Sequence, residues 1–145
     1  METSGLGLLL RGVADPVGTV RAVRAERRAA GTYETIPLSY AFNEKGGASF
    51  RITRLEEDGW YGLVARGRGK GINAYAYFQY NGSWRYELGS FRMSFGPPDA
   101  DGWREGSMLI RIPRGANNVF AVFGATESFA DFPVSFADLE FFRIR

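Results

Sequence analysis

From Ile72 to Tyr86 two kinds of side chain alternate along the chain. If Ile72, Ala74, Ala76 and Phe78 face a core, then Asn73, Tyr75, Tyr77 and Gln79 face the other way, because successive residues of a strand point to opposite faces. That outer row sets two tyrosines between two amides, and Trp84 and Tyr86 follow just past the turn signal Asn81–Gly82. Tyr and Trp present a flat apolar ring with a polar edge. A sugar ring needs that combination: its C–H face stacks on the aromatic face, and its hydroxyls bond to Asn, Gln and Arg. The same rings can equally pack in a second sheet or in cross-strand pairs, and both readings stand at this point.

Cations lie near this row. Arg66, Arg68 and Lys70 alternate with Gly67, Gly69 and Gly71, and Arg85 and Arg92 flank the aromatic segment. A basic glycine-rich loop can approach a sulfate, carboxylate or phosphate closely, or it can be a solvated loop. The glycines do not lead from a strand into a helix, so they are not a nucleotide-binding loop. Arg21, Arg24, Arg27 and Arg28 form a second basic cluster, spaced by Ala and Val, which reads as a solvated strand face. Trp60 and Trp103 each follow an Asp–Gly pair. Trp103 is expected to plug the core, and Trp60 divides evenly between core and ligand.

Catalytic chemistry has little to work with. The chain has neither cysteine nor histidine, which removes thiolate metal sites, disulfides, the commonest general base and every histidine-based triad. Glu56, Glu57 and Asp58 sit in a turn signal, and Asp99 and Asp101 in a Pro-rich loop. A glycosidase needs two carboxylates held roughly 5 to 10 Å apart across a cleft, and nothing in the spacing points to such a pair. A hard-ion site is the better use of the acids: Glu26 and Asp138, with loop carbonyls, supply the oxygens calcium prefers. No cofactor is required; a structural calcium is the one addition the residues accommodate.

Strands must position these side chains. Ala48, Phe50 and Ile52 alternate with polar residues; Met108, Ile110 and Ile112 alternate with Leu109 and Arg111; Val119, Ala121 and Phe123 alternate with Phe120 and Val122. Val134 and Phe136 are out of phase with Leu139 and Phe141, as a β-bulge would cause. Turn residues separate the runs about every ten positions, and Asn81–Gly82 is a strong two-residue hairpin signal. Val17 to Ala30 fits a helical face through Val20, Val23 and Arg24, but Val20 to Ala25 also alternates, and the segment reads as a strand or edge segment.

The totals agree. With 145 residues, 15% aromatics and 19 glycines, the chain has the size of one domain and a composition suited to strands and tight turns. A net charge of +2 is mild support for an anionic partner. No stretch approaches the ~20 apolar residues of a membrane-spanning helix. Gly5 to Leu10 is too short for a signal-peptide core, and Met1 to Ser4 reads as a cloning remnant.

Three local patterns resemble the jelly-roll carbohydrate-binding modules of the galactose-binding-like superfamily. Gly59-Trp-Tyr-Gly-Leu-Val-Ala-Arg-Gly-Arg68 is similar to a strand that reads Tyr-x-Leu-x-x-x-Ala-Arg-Gly in such modules. Gly102-Trp-Arg-Glu-Gly-Ser-Met-Leu-Ile-Arg-Ile-Pro-Arg-Gly-Ala116 resembles their Trp-led segment ending in Pro-x-Gly-Ala. Val134-Ser-Phe-Ala-Asp-Leu-Glu-Phe141 resembles their closing strand, and Arg24-Ala-Glu26 more weakly their opening Ala-Glu. The closing strand departs from the pattern because Ala137 stands where the first of two aspartates is usual, which weakens any calcium site there. The resemblance implies a fold more than a ligand, and the family has no fixed binding motif to carry over.

The sequence therefore predicts an all-β domain over residues 1–145, a two-sheet antiparallel jelly-roll sandwich of eight to ten strands. The expected function is non-catalytic binding of a polysaccharide or oligosaccharide, neutral or anionic. The binding residues would be Tyr75, Tyr77, Gln79, Trp84, Tyr86 and Trp60, aided by Arg66, Lys70, Arg85 and Arg92. The domain is expected to be secreted or displayed on a cell surface, as a monomeric part of a larger protein, with no membrane partner and nucleic acid disfavoured. The rivals are a structural or protein-interaction sandwich, with the aromatic row buried between subunits, and a carboxylate enzyme on the same scaffold.

Overall fold

The computed structural model describes residues 15–44, 47–52, 56, 58–80, 83–84, 91–116, 118–125 and 134–145. One helix, α1 (Pro16–Ala30), precedes β1 (Leu38–Glu44), β2 (Gly47–Ile52), β3 (Trp60–Arg68), β4 (Ile72–Tyr80), β5 (Ser83–Trp84), β6 (Phe91–Arg92), β7 (Ser94–Phe95), β8 (Arg104–Arg111), β9 (Asn118–Ala125) and β10 (Ser135–Arg143). The strands form two antiparallel sheets. The first has the order β1-β2-β9-β4-β5, with β6 also on β4; the second has the order β10-β3-β8-β7. This is the two-sheet sandwich that the alternation predicts.

The alternating residues meet between the sheets. Tyr61, Leu63 and Ala65 of β3 face Ala74, Ala76 and Phe78 of β4, with Met108 and Ile110 of β8, Val119, Ala121 and Phe123 of β9, and Phe141 of β10. The Tyr61 and Phe141 rings stack at 5.1 Å. Each of the larger apolar side chains among them contributes about 1.5–3 kcal/mol on leaving water. The bulge falls where the phase slips: β10 shifts register against β3 between Ala137 and Glu140. Tyr80 pairs with Ser83, so β4 and β5 are joined across Asn81 and Gly82, which lie outside the described residues.

Two of the connections that pass between the sheets bear on the candidate residues. β3 leads to β4 through Gly69 and Gly71, both at positive φ (126° and 73°), a conformation that glycine adopts without penalty. Arg66, Gly67 and Arg68 therefore belong to a strand, and only Gly69–Gly71 form the loop the sequence suggested for the whole stretch. At Met93 the chain leaves β6 in one sheet and enters β7 in the other.

The segment expected to be a strand is a helix. Its termini carry the reason. Asp15 accepts a hydrogen bond from the Gly18 amide at 2.9 Å and caps the first turn, and Pro16 occupies the first turn, where its missing N–H costs nothing. Gly31 closes the helix in the left-handed conformation, with Arg27 and Arg28 in the last turn. The Val–Arg–Ala repeat that suggested period two also places Val20 and Val23 on one helical face. That face packs on Val64, Leu109, Phe142 and Ile144, so α1 lies against the outer face of the second sheet.

Candidate functional site

Two surfaces carry the residues picked from the sequence, and they lie on opposite sides of the sandwich. The first is the outer face of the β4–β9 sheet. Ala74, Ala76 and Phe78 are fully buried, which turns Asn73 and Tyr75 of β4 outward. Antiparallel pairing then sets Tyr75 opposite Val122, Tyr77 opposite Phe120 and Gln79 opposite Asn118. On the next strand Arg51 pairs with Phe120 and Ser49 with Val122. On the other side of β4, Arg92 pairs with Tyr75 and Trp84 with Gln79.

Tyr77, Phe120 and Arg51 thus occupy one level across three strands, with Tyr75 one level away. Tyr75 and Phe120 are half-buried and Arg92 is exposed. The Arg92 guanidinium lies 5.8 Å from the centre of the Tyr75 ring and donates to Asn73 Oδ1 at 3.3 Å. A guanidinium over a tyrosine face is attracted to the ring quadrupole. It also extends the flat surface with hydrogen-bond donors along its edge. Arg85 and Tyr86 lie outside the described residues.

Phe120 and Arg51 belong to this surface and were not chosen from the sequence. The signal was present: once Val119, Ala121 and Phe123 turn inward, Phe120 must turn outward.

The other face holds Trp60 and Arg66. Trp60 packs beside the Val20–Phe142 cluster under the helix, with the Arg111 guanidinium 5.8 Å from its ring. Arg66 is bonded to Asp138 at 3.3 Å and to Asp99 at 3.5 Å, and its guanidinium lies 5.1 Å from the Trp103 ring. Arg68 approaches the same ring at 4.8 Å. Trp103 is therefore not the core plug expected: it is half-buried among arginines. Lys70 is exposed in the turn that leaves this sheet. Trp60 and Arg66 thus cannot share one ligand ring with Tyr75. The aromatic row and Arg92 stay together; these two fall away from it.

Between α1 and this sheet lies a cleft of about 400 Å³, lined by Arg24, Arg28, Arg66, Glu105, Asp138 and Glu140 over Val64 and Ala65. The arginines expected on a solvated strand face are its working parts. Arg24 forms a two-point ion pair with Glu140, and Arg28 reaches the same carboxylate at 3.3 Å. Tyr33 donates to Glu140 Oε1 at 2.7 Å. Arg27 donates to the carbonyls of Arg143 and Ile144, the second at 2.9 Å, and Arg21 pairs with Glu105 at 3.2 Å.

Burial would push the Glu140 carboxyl up, but the donors from Arg24 and Tyr33 outweigh it and hold the group below the usual carboxylate range. Burial and the bond to Glu140 push the Tyr33 phenol up to about 12. Glu140 is thus a fixed acceptor and Tyr33 a fixed donor at neutral pH. In the Gly96–Trp103 loop Asp99 is held low, chiefly by the Trp103 amide, with help from the Asp101 amide and Arg66. Of the two calcium candidates, Glu26 is exposed on α1, while Asp138 is engaged by Arg66. Among the described residues no three acidic side chains gather as a group able to hold a metal ion.

No model of a known protein family matches this chain, and no curated protein matches it either.

Proposed function

We propose that this domain is a non-catalytic carbohydrate-binding module, a jelly roll of the galactose-binding-like kind, whose binding surface is the outer face of the β4–β9 sheet. The observation that carries the reading is the outer face that holds Tyr75 and Phe120, with the Arg92 guanidinium over the Tyr75 ring and bonded to Asn73, and with Tyr77 at the register position opposite Phe120. A row of rings across neighbouring strands matches a linear polysaccharide lying flat, each ring offering a π-face to a sugar C–H face. Amides and guanidiniums at its margins suit hydroxyls and any carboxylate or sulfate on the chain. Secretion or surface display within a larger polysaccharide-acting protein follows from that substrate class, and a structural calcium is compatible with it.

Affinity electrophoresis against neutral and anionic polysaccharides, with and without calcium and at two salt concentrations, tests the reading. Retardation by one glycan class, lost in Tyr75→Ala, is the expected result. No retardation by any glycan, combined with self-association in sedimentation, would overturn it in favour of an interaction domain.

A further inference from the structure

The cleft between α1 and the second sheet lies on the opposite side of the molecule from the aromatic row, and it is built differently. Three guanidiniums, from Arg24, Arg28 and Arg66, interleave with three carboxylates, from Glu105, Asp138 and Glu140. Their formal charges cancel, so the cleft has no net attraction for an anion. It offers donors beside acceptors at short spacing instead. A hydroxyl group both donates and accepts, and a ligand rich in hydroxyls is the chemical class that satisfies such an array.

The backbone supports a binding role. Asp138 sits within the β10 register shift with φ 55°, in the left-handed region, where non-glycine residues are rare although Asp is tolerated. Bulges at such places re-aim a side chain, and here the side chain lines the cleft. The neighbouring acceptor on the same strand is rigid, because Glu140 is fixed by Arg24, Arg28 and Tyr33 together. Val64 gives a small apolar floor, which the backbone of Ala65 continues. The volume falls at the low end of the range for small-molecule sites, enough for one sugar ring and not for a chain lying flat.

We infer that this cleft is a second, separate site that takes a single uncharged, hydroxyl-rich ring, such as the terminal pyranose of a glycan, with Arg28 and Arg66 donating to ring oxygens and Asp138 and Glu105 accepting from hydroxyls. The choice of a sugar rests on the carbohydrate-binding reading; the site itself does not use the aromatic row. A domain with both sites would engage a polymer along its length on one face and a chain end on the other.

Nitrogen–proton correlation spectra of the 145-residue protein, titrated with methyl glycosides of glucose, galactose and mannose, then with glucuronate and sulfate, read the cleft directly. The expected result is saturable shifts of the Ala65, Arg66 and Asp138 amides with a neutral glycoside and none with sulfate. Asp138→Gly should weaken that binding roughly tenfold or more, and since glycine accepts a positive φ freely, the fold should persist. Tyr75→Ala should leave the cleft shifts intact while abolishing polysaccharide retardation. A cleft silent to every glycoside, in a protein still retarded by polysaccharide, overturns this inference alone. Cleft shifts without retardation overturn only the flat-face reading. Shifts produced by sulfate or glucuronate alone would show that the cleft selects anions, which also overturns the inference.

Discussion

Arg24 and Glu140, 116 residues apart in the chain, form a two-point ion pair that ties the helix to the last strand. Their side chains are only 22% and 19% exposed, so the pair is shielded from the screening that weakens surface salt bridges. Replacing Glu140 by Gln leaves two arginines and a tyrosine without their charged partner. The expected cost is about 1–3 kcal/mol, read as a lower midpoint in urea with an unchanged slope. The acid limb should change too. Glu140 has a lower pKa folded than unfolded, so its contribution is present above the ordinary value of 4.5 and is lost as pH falls through the folded value. Glu140→Gln should therefore show a shallower loss of stability below about pH 4.5 than the parent protein.

At the alkaline end the sign reverses. The Tyr33 phenol is pushed from 10.0 to about 12, so its contribution is full below pH 10 and fades as pH rises toward 12. Ultraviolet titration of the seven tyrosines should show a late-ionising component that disappears in Tyr33→Phe. Its persistence in that variant would assign the late phase to another ring.

The helix depends on its apolar face. Val23→Ala should cost about 1–3 kcal/mol, since a well-packed pocket under α1 collapses only in part. Thr19→Val should do the opposite. The Thr19 Oγ1 is buried with no hydrogen-bond partner among the described residues, and removing an unsatisfied hydroxyl recovers about 1 kcal/mol of desolvation. Thermal melts of both variants check the pair of signs.

Gly62 lies directly beneath the ring of Phe142, where an added Cβ would come within 2.7 Å of the Phe142 Cζ. That ring is fully buried and cannot swing away. Gly62→Ala should therefore destabilise by about 1–3 kcal/mol through overpacking, whereas the better intrinsic propensity of Ala alone would stabilise. A rise in Tm would contradict the packing described.

On the outer face of the other sheet, Phe120→Ala should reduce polysaccharide retardation at any salt concentration, because a stacking loss is not ionic. Arg92→Gln should reduce it mainly at low salt, where exposed charges act at the longest range. If both variants bind like the parent, the row is not the binding surface.

The strands were legible because period-two alternation is enforced by burial. Ala74, Ala76 and Phe78 have one way to face inward, and their partners on β9 have the same one. The bulge near Asp138 was legible for that reason too, as a slip of phase. The helix was not, because Val–Arg–Ala satisfies two periods over six residues; the Asp15–Pro16 cap and Gly31 decide it, and they stand outside the periodic stretch. The candidate site was legible along β4 and illegible across the sheets. A sequence shows which residues share a strand face, but which face Arg66 shares with Tyr75 depends on the crossing at Gly69–Gly71. The cleft depends on α1, β3, β8 and β10 together, and no local pattern encodes that meeting.

Met93 belongs to both layers at once. Its amide donates to the Ala74 carbonyl of one sheet at 2.8 Å, while its side chain lies over Gly106 of the other and leaves no room there for a Cβ. The residue works as a rivet. One layer cannot slide over the other without breaking that amide bond and emptying that slot in the same movement. Amides of β4 and β8 should then exchange with solvent as one cooperative unit, so that whatever binds one side of the molecule meets a plate stiffened through its full thickness.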